Sequence, residues 1–261
     1  MRASLAGRAF GTIGLVACTA LIAACATANQ GGGDDDVQPD SSTNPTIDAP
    51  PGTIDAPPGT IDAAPPIDAP PQVQTVTLSQ NTSMTVASAN SVACSNSTTG
   101  YTTENSYYRV FPLSSAGITT TFTANRVDFG IEQATGGSGA TQTVQVRIYS
   151  MAGTALTSTS QLTLLSGQNV AVPDSALAVQ QVTLTTPATV AANLSLVAEV
   201  FVPDGTATSN TFFMGSNASG ESGPSYIRAP STGCDITQPV TLSSLGYPTV
   251  NLILTVTGTT P

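Results

Sequence analysis

The 261-residue sequence contains no histidine, no lysine and no tryptophan, and its only basic side chains are six arginines. Each absence removes a class of chemistry. Without histidine there is no Ser/His or Cys/His pair to activate a nucleophile, and without lysine the Ser–Lys variant fails as well. The usual zinc sites lack their imidazole ligands. A phosphate-binding loop needs a Gly-Lys-Ser/Thr step that the chain does not have, and the glycine-rich run Gly136-Gly137-Ser138-Gly139 has no helix after it to complete a dinucleotide fingerprint. A polyanion would need clustered cations, whereas Arg109, Arg126, Arg147 and Arg228 are scattered, so no nucleic-acid partner is expected. Lack of tryptophan also weakens a sugar-processing reading.

Acidic side chains are plentiful by contrast. Asp and Glu number 16 and give a formal net charge of −10. They are unevenly spread. Residues 26–72 hold eight aspartates and no cation, while residues 73–261 hold eight carboxylates against four arginines. Net charge of this kind speaks to solubility rather than to fold.

The N-terminal residues carry an address. Arg2 and Arg8 precede an apolar stretch from Ala9 to Ala24, which ends in Leu21-Ile22-Ala23-Ala24-Cys25. A charged start, an apolar middle and small residues at the cut make a secretory signal. A cysteine directly after those small residues resembles the lipobox of bacterial lipoproteins. The resemblance implies cleavage before Cys25, acylation of that cysteine and attachment to a membrane. It also implies sorting. An aspartate after the acylated cysteine usually retains such proteins at the inner membrane, and this chain has Ala26, so the expected location is the outer membrane.

Cys18 follows a second passable lipobox, Leu15-Val16-Ala17, but acylation there would leave Cys25 as an odd thiol in an oxidising compartment. With Cys25 as the anchor, Cys94 and Cys234 remain as an even pair. Export predicts a disulfide between them. A loop of that length corresponds to roughly 5 kcal/mol in the chain-entropy account.

Between anchor and domain lies an internal repeat. TIDAPPG occupies 46–52 and again 53–59, TIDAAPP follows at 60–66 and IDAPP at 67–71. Paired prolines exclude a helix and favour polyproline II. At ~3.1 Å per residue such a stalk spans up to roughly 80 Å. A tether of no required length is the other reading. The expected organisation is a signal peptide over 1–24, an acylated cysteine and disordered Asp/Pro-rich linker over 25–72, and a folded domain over 73–261.

From Val73 onward the texture is Thr, Val and Ser in alternating runs. Val144, Val146 and Ile148 form one such series, Val127, Phe129 and Ile131 a second, Leu196, Ala198, Val200 and Val202 a third, and Leu252, Leu254 and Val256 a fourth. Period two with β-branched residues predicts half-buried strands. Turn clusters punctuate them, among them Pro203-Asp204-Gly205 and Gly215–Gly220. No window carries a capped helical period. The predicted fold is all-β, a β-sandwich or jelly-roll-like domain of about ten strands.

Paired carboxylates are the one enzymatic route the composition leaves open. The candidates are Glu104, Asp128, Glu132, Glu199, Asp204, Glu221 and Asp235. Asp128 and Glu132 alternate with Arg126 and face Arg147, which favours ordinary cross-strand ion pairs over catalysis. No cofactor is expected and no metal ligands are assigned, although loops of jelly rolls do carry structural calcium. The long polar loop Gly215–Tyr226 is the candidate recognition surface, with Asn217, Glu221 and Tyr226 as its ligand-binding side chains. A simple hairpin turn ending at Tyr226 is the alternative.

Several segments together are similar to a known type of module: Asn105-Ser106-Tyr107-Tyr108-Arg109-Val110-Phe111, Phe129-Gly130-Ile131-Glu132, Tyr226-Ile227, Cys234 and Leu245-Gly246-Tyr247-Pro248. They resemble an all-β accessory domain of secreted and surface proteins of environmental bacteria. The Asp/Pro-rich linker after a lipobox resembles surface lipoproteins of myxobacteria and their relatives. That resemblance transfers no catalytic residue. The expected function is a non-catalytic, membrane-anchored module that binds a glycan or a protein at the envelope. A structural envelope component and a carboxylate-dependent glycan hydrolase are the alternatives.

Overall fold

A computed structural model of the protein describes residues 72–261, together with the backbone of residues 3–7. Cys25 and the TIDAPPG repeats lie outside the described residues, as does the expected signal peptide apart from residues 3–7. In chain order the strands are β1 (Ala3–Gly7), β2 (Gln74–Leu78), β3 (Val92–Asn96), β4 (Asn105–Pro112), β5 (Phe122–Thr135), β6 (Thr141–Met151), β7 (Thr163–Pro173) and β8 (Ser175–Val190). They continue as β9 (Ser195–Val202), β10 (Thr211–Met214), β11 (Ser216–Asn217), β12 (Ser225–Ala229), β13 (Ile236–Thr241), β14 (Asn251–Leu252) and β15 (Leu254–Thr260). The only helical pieces among the described residues are two single 3-10 turns, Thr159–Gln161 and Ser243–Leu245.

Alternation builds the two main sheets, and every pairing in them is antiparallel. One sheet has six strands in the order β13-β12-β4-β9-β6-β7. The other runs β10-β5-β15-β2, with β8 also paired to β5. The predicted all-β, sandwich-like fold is therefore present, with eleven strands in its two main sheets where about ten were expected. Val144, Val146 and Ile148 of β6, Val127, Phe129 and Ile131 of β5, and Leu254 and Val256 of β15 point into one shared core. Each such side chain contributes roughly 1.5–3 kcal/mol by leaving water.

Strand β9 departs from simple alternation, because a second apolar cluster lies on the outer face of the six-stranded sheet. Val197 joins Tyr108, Val110, Met151, Leu156 and Tyr226 there, so the middle of the sheet is covered on both sides.

One side of the sandwich is sealed by a side chain. β7 and β8 belong to different sheets, and Gln168 of β7 stands in for a ladder between them. Its Oε1 accepts from the Thr185 backbone N–H at 2.8 Å and from Thr185 Oγ1 at 3.1 Å, while its Nε2 donates to Thr183 O at 3.1 Å. Ser166 Oγ adds a bond to Thr186 O at 2.6 Å.

The Cys94–Cys234 disulfide is formed, with the two Cα atoms 6.2 Å apart. It ties β3 to the turn that precedes β13. Two further strands, β13 and β14, separate Cys234 from the closing strand β15.

Candidate functional site

Strand parity decides where the buried chemistry sits. In β4, Tyr107, Arg109 and Phe111 share the inner face, so a guanidinium enters the space between the sheets. Arg109 is 0 % exposed. Its Nε and Nη2 donate to Leu252 O at 3.1 and 2.6 Å, and its Nη1 donates to Gly223 O at 2.6 Å. Glu221 supplies the counter-charge at 2.7 Å from Nη1. Burial pulls the Arg109 pKa below its ordinary value, and the Glu221 carboxylate works against that shift. Glu221 also accepts from Ser225 Oγ at 2.7 Å, and Ser225 Oγ in turn accepts from the Leu252 N–H at 2.9 Å. One buried cation thus locks β4, the loop before β12, and β14 together.

The three side chains expected to bind a ligand are parted by the fold. Asn217 lies in the short strand β11, paired opposite Asn251 of β14. It is buried, and its Nδ2 donates to Ser83 O at 2.9 Å and Thr85 O at 3.1 Å. Glu221 belongs to the Arg109 network. Tyr226, one position beyond the inward Ser225, points to the opposite face and packs in the outer cluster, where its hydroxyl accepts from the Leu156 N–H at 3.5 Å. The Gly215–Tyr226 loop is therefore held by its own polar side chains rather than presenting all three to one surface.

What this network does present is a groove. A cavity of about 530 Å³ opens beside β2, with walls that include Val76, Leu78, Gln80, Phe111, Ala116 and Pro224. Gln80 and Gly223, both in the wall, are partners of Arg109. Gln80 Nε2 is further fixed by donation to Val110 O at 2.7 Å. A smaller cavity of about 320 Å³ shares Val76 and Ala116 and extends the groove toward Gln74 and Thr260. The lining carries no charged side chain; its polar groups are hydroxyls such as Ser79, Ser115, Thr154 and Ser222 and the Gln80 amide. Apolar walls with a neutral hydrogen-bonding rim suit an uncharged amphipathic ligand.

A second polar cluster lies on the outer face of the six-stranded sheet. Glu199 of β9 is buried, accepts from Tyr149 Oη at 2.5 Å and pairs with Arg147 Nη1 at 3.2 Å. Arg147 stacks over the Phe201 ring, 4.2 Å from its centroid. Burial, with the Glu199 charge adding to it, raises the pKa of both Tyr108 and Tyr149 far above the usual tyrosine value.

All eight carboxylates of the domain have partners. Glu104 pairs with Arg228, Asp128 with Arg126, Glu199 with Arg147 and Glu221 with Arg109. Glu132 does not meet Arg147 as expected. Both its oxygens accept backbone N–H groups, from Ala89 and Asn90, at 3.1 Å each. This clamps a turn in which Ala89 has φ 56°, a left-handed conformation costly for a residue with a Cβ. The Asp128 pair runs along one strand rather than across two. Asp174, Asp204 and Asp235 accept backbone N–H groups of Gly136, Thr206 and Gly233. Among the described residues, no three Asp, Glu, Cys or His side chains gather as a metal-binding group.

In the sequence Arg109 is one of four scattered cations and Gln80 does not stand out. The parity of Tyr107, Arg109 and Phe111 was a usable signal for the first. The second had none, because Gln80 follows the end of a five-residue strand. Comparison with known proteins finds no counterpart: no family model, no curated protein and no solved structure matches the chain.

Proposed function

We propose that the protein is an outer-membrane lipoprotein, acylated at Cys25, whose linker tethers a non-catalytic β-sandwich that binds an uncharged ligand, a neutral glycan or an extended peptide, at the cell envelope. The groove beside β2 carries this reading. Its wall is fixed to the Arg109 network through Gln80 and Gly223, and its lining is apolar and hydroxylic. A disulfide suits an exported chain. The domain's carboxylates are engaged with arginines or backbone amides, which favours binding over acid–base chemistry. The Leu21–Cys25 pentapeptide supports the anchor, and Ala26 the outer membrane.

Two measurements test the reading. Mass spectrometry of the protein purified from membranes is expected to find an acylated N-terminal Cys25, and Cys25→Ser to release the chain from the membrane. An unmodified Cys25 overturns the anchor. A glycan and peptide array is expected to return a neutral ligand whose binding falls at least tenfold with Ala116→Trp, which fills the groove. Binding that is unaffected by this substitution, or no ligand at millimolar concentration, overturns the groove assignment.

A further inference from the structure

Strand β3 carries an edge that the rest of the domain leaves open. Its even positions face inward. Cys94 N–H donates to Asn105 Oδ1 at 2.8 Å, and Cys94 O accepts from Asn105 Nδ2 and Thr103 N–H at 3.0 Å each. Asn96 N–H donates to Tyr101 O, and Asn96 O accepts from Gly100 N–H, both at 2.8 Å. Backbone groups alternate sides along a strand, so Ala93 and Ser95 turn theirs to the other edge. On that edge lies β1, antiparallel, with Ser4 opposite Ser95 and Ala6 opposite Ala93. β3 forms a two-stranded sheet with β1 alone.

Three of the other outer strands are managed, whereas β2 is an end strand beside the groove. β13 contains Pro239, and β7 and β8 are closed on each other through Gln168. β3, with the sequence VACSN, has no proline and no charge. Such an edge is a template for strand addition. It is also rigid, because Cys94 at its centre is fixed by both the disulfide and Asn105.

We infer that β3 is a strand-acceptor site, its capacity shown by the chain's own residues 3–7 paired there in this structure, and that in the mature protein, which lacks that leader, it takes an extended, uncharged, proline-free segment of another polypeptide. The inference rests on the proposed cleavage before Cys25. The chemistry of the occupant is read from the segment seated there, Ala-Ser-Leu-Ala-Gly, which is small, neutral and free of proline. Main-chain bonds at Ala93 and Ser95 supply affinity, and short side chains let the incoming backbone approach.

The test uses mature protein purified from membranes, with its mass measured first. A fluorescent, end-capped peptide of residues 3–7 (ASLAG) is titrated against it, beside the same peptide carrying Ser4→Pro and Ala6→Pro. The proline pair removes both N–H donors facing Ala93 and Ser95 and leaves the charge unchanged. Saturable binding is expected, weakened at least about tenfold by the prolines, with slowed amide exchange at Ala93 and Ser95. Equal binding of the two peptides, no binding at millimolar concentration, or unchanged exchange overturns the strand-acceptor site while leaving the lipoprotein reading intact. A dimer in light scattering, dissociated by neither peptide, also overturns it, since a second copy would then cover the edge. A mass that includes residues 1–24 overturns both readings, because β1 would stay in place.

Discussion

Removing the Glu221 carboxylate would leave the Arg109 guanidinium buried without its counter-charge. Breaking one side of a buried pair typically costs 3–5 kcal/mol. Glu221 keeps 23 % of its side chain exposed, so partial solvation trims the cost, and Glu221→Gln is expected to lose about 2–3 kcal/mol in urea unfolding. Adding Arg109→Met to that variant removes the orphaned charge, and the double substitution is expected to cost less than the sum of the singles. At this scale the sequence was legible only through strand parity. Tyr107-x-Arg109-x-Phe111 shows a cation on an apolar face. Nothing local shows that its partners come from Leu252 and Gly223, more than a hundred positions away. Glu132 misled for a related reason. Its spacing from Arg126 matched ion pairing, but a turn near Ala89 needed the carboxylate more.

Elements cross tightly where β5 meets the segment between β10 and β11. Gly215 N–H donates to Gly130 O at 2.8 Å, Gly130 N–H to Ile253 O at 2.9 Å, and Ile253 N–H to Gly215 O at 3.0 Å. A Cβ on Gly215 would stand 2.6 Å from the Gly130 carbonyl carbon, with only backbone to yield. Gly215→Ala is therefore expected to cost about 1–3 kcal/mol or more, read as a lowered thermal midpoint. The Gln168 seam gives a different signature. Gln168→Ala removes three hydrogen bonds at an exposed edge, so amide exchange at Thr185 is expected to quicken while global stability falls by only about 1–2 kcal/mol. The strong period-two runs were readable because each has one face in the core. β8 was not. Leu177, 52 % exposed, and Val179 face solvent there, so its apolar pattern does not mark the buried side. The two-residue strands β11 and β14 are too short to leave any period.

For the whole molecule, the missing residue types set the response to pH. Histidine and lysine are absent, and the domain's two cysteines are bonded to each other. No side chain of the domain has an ordinary pKa between those of the carboxylates and tyrosine. Stability is expected to stay flat from about pH 6 to 9 in urea titrations. Burial raises the pKa of Tyr107, Tyr108 and Tyr149 above the ordinary value of about 10, so the folded state holds these protons more tightly than the unfolded one. Their contribution is complete below that pH and is lost as pH rises from about 10. Reduction of the Cys94–Cys234 bridge, 140 positions apart, should remove up to about 5 kcal/mol, seen as a lower urea midpoint in dithiothreitol. The placement of β15 has a kinetic side as well. It lies between β5 and β2, and Thr77 meets Thr257 across 180 positions. A chain still emerging from the ribosome therefore holds β2 without its β15 partner and Arg109 without the Leu252 carbonyl. Closure of the β5-β15-β2 part of the sheet waits for the last strand, a pairing of long sequence separation that is slow to form.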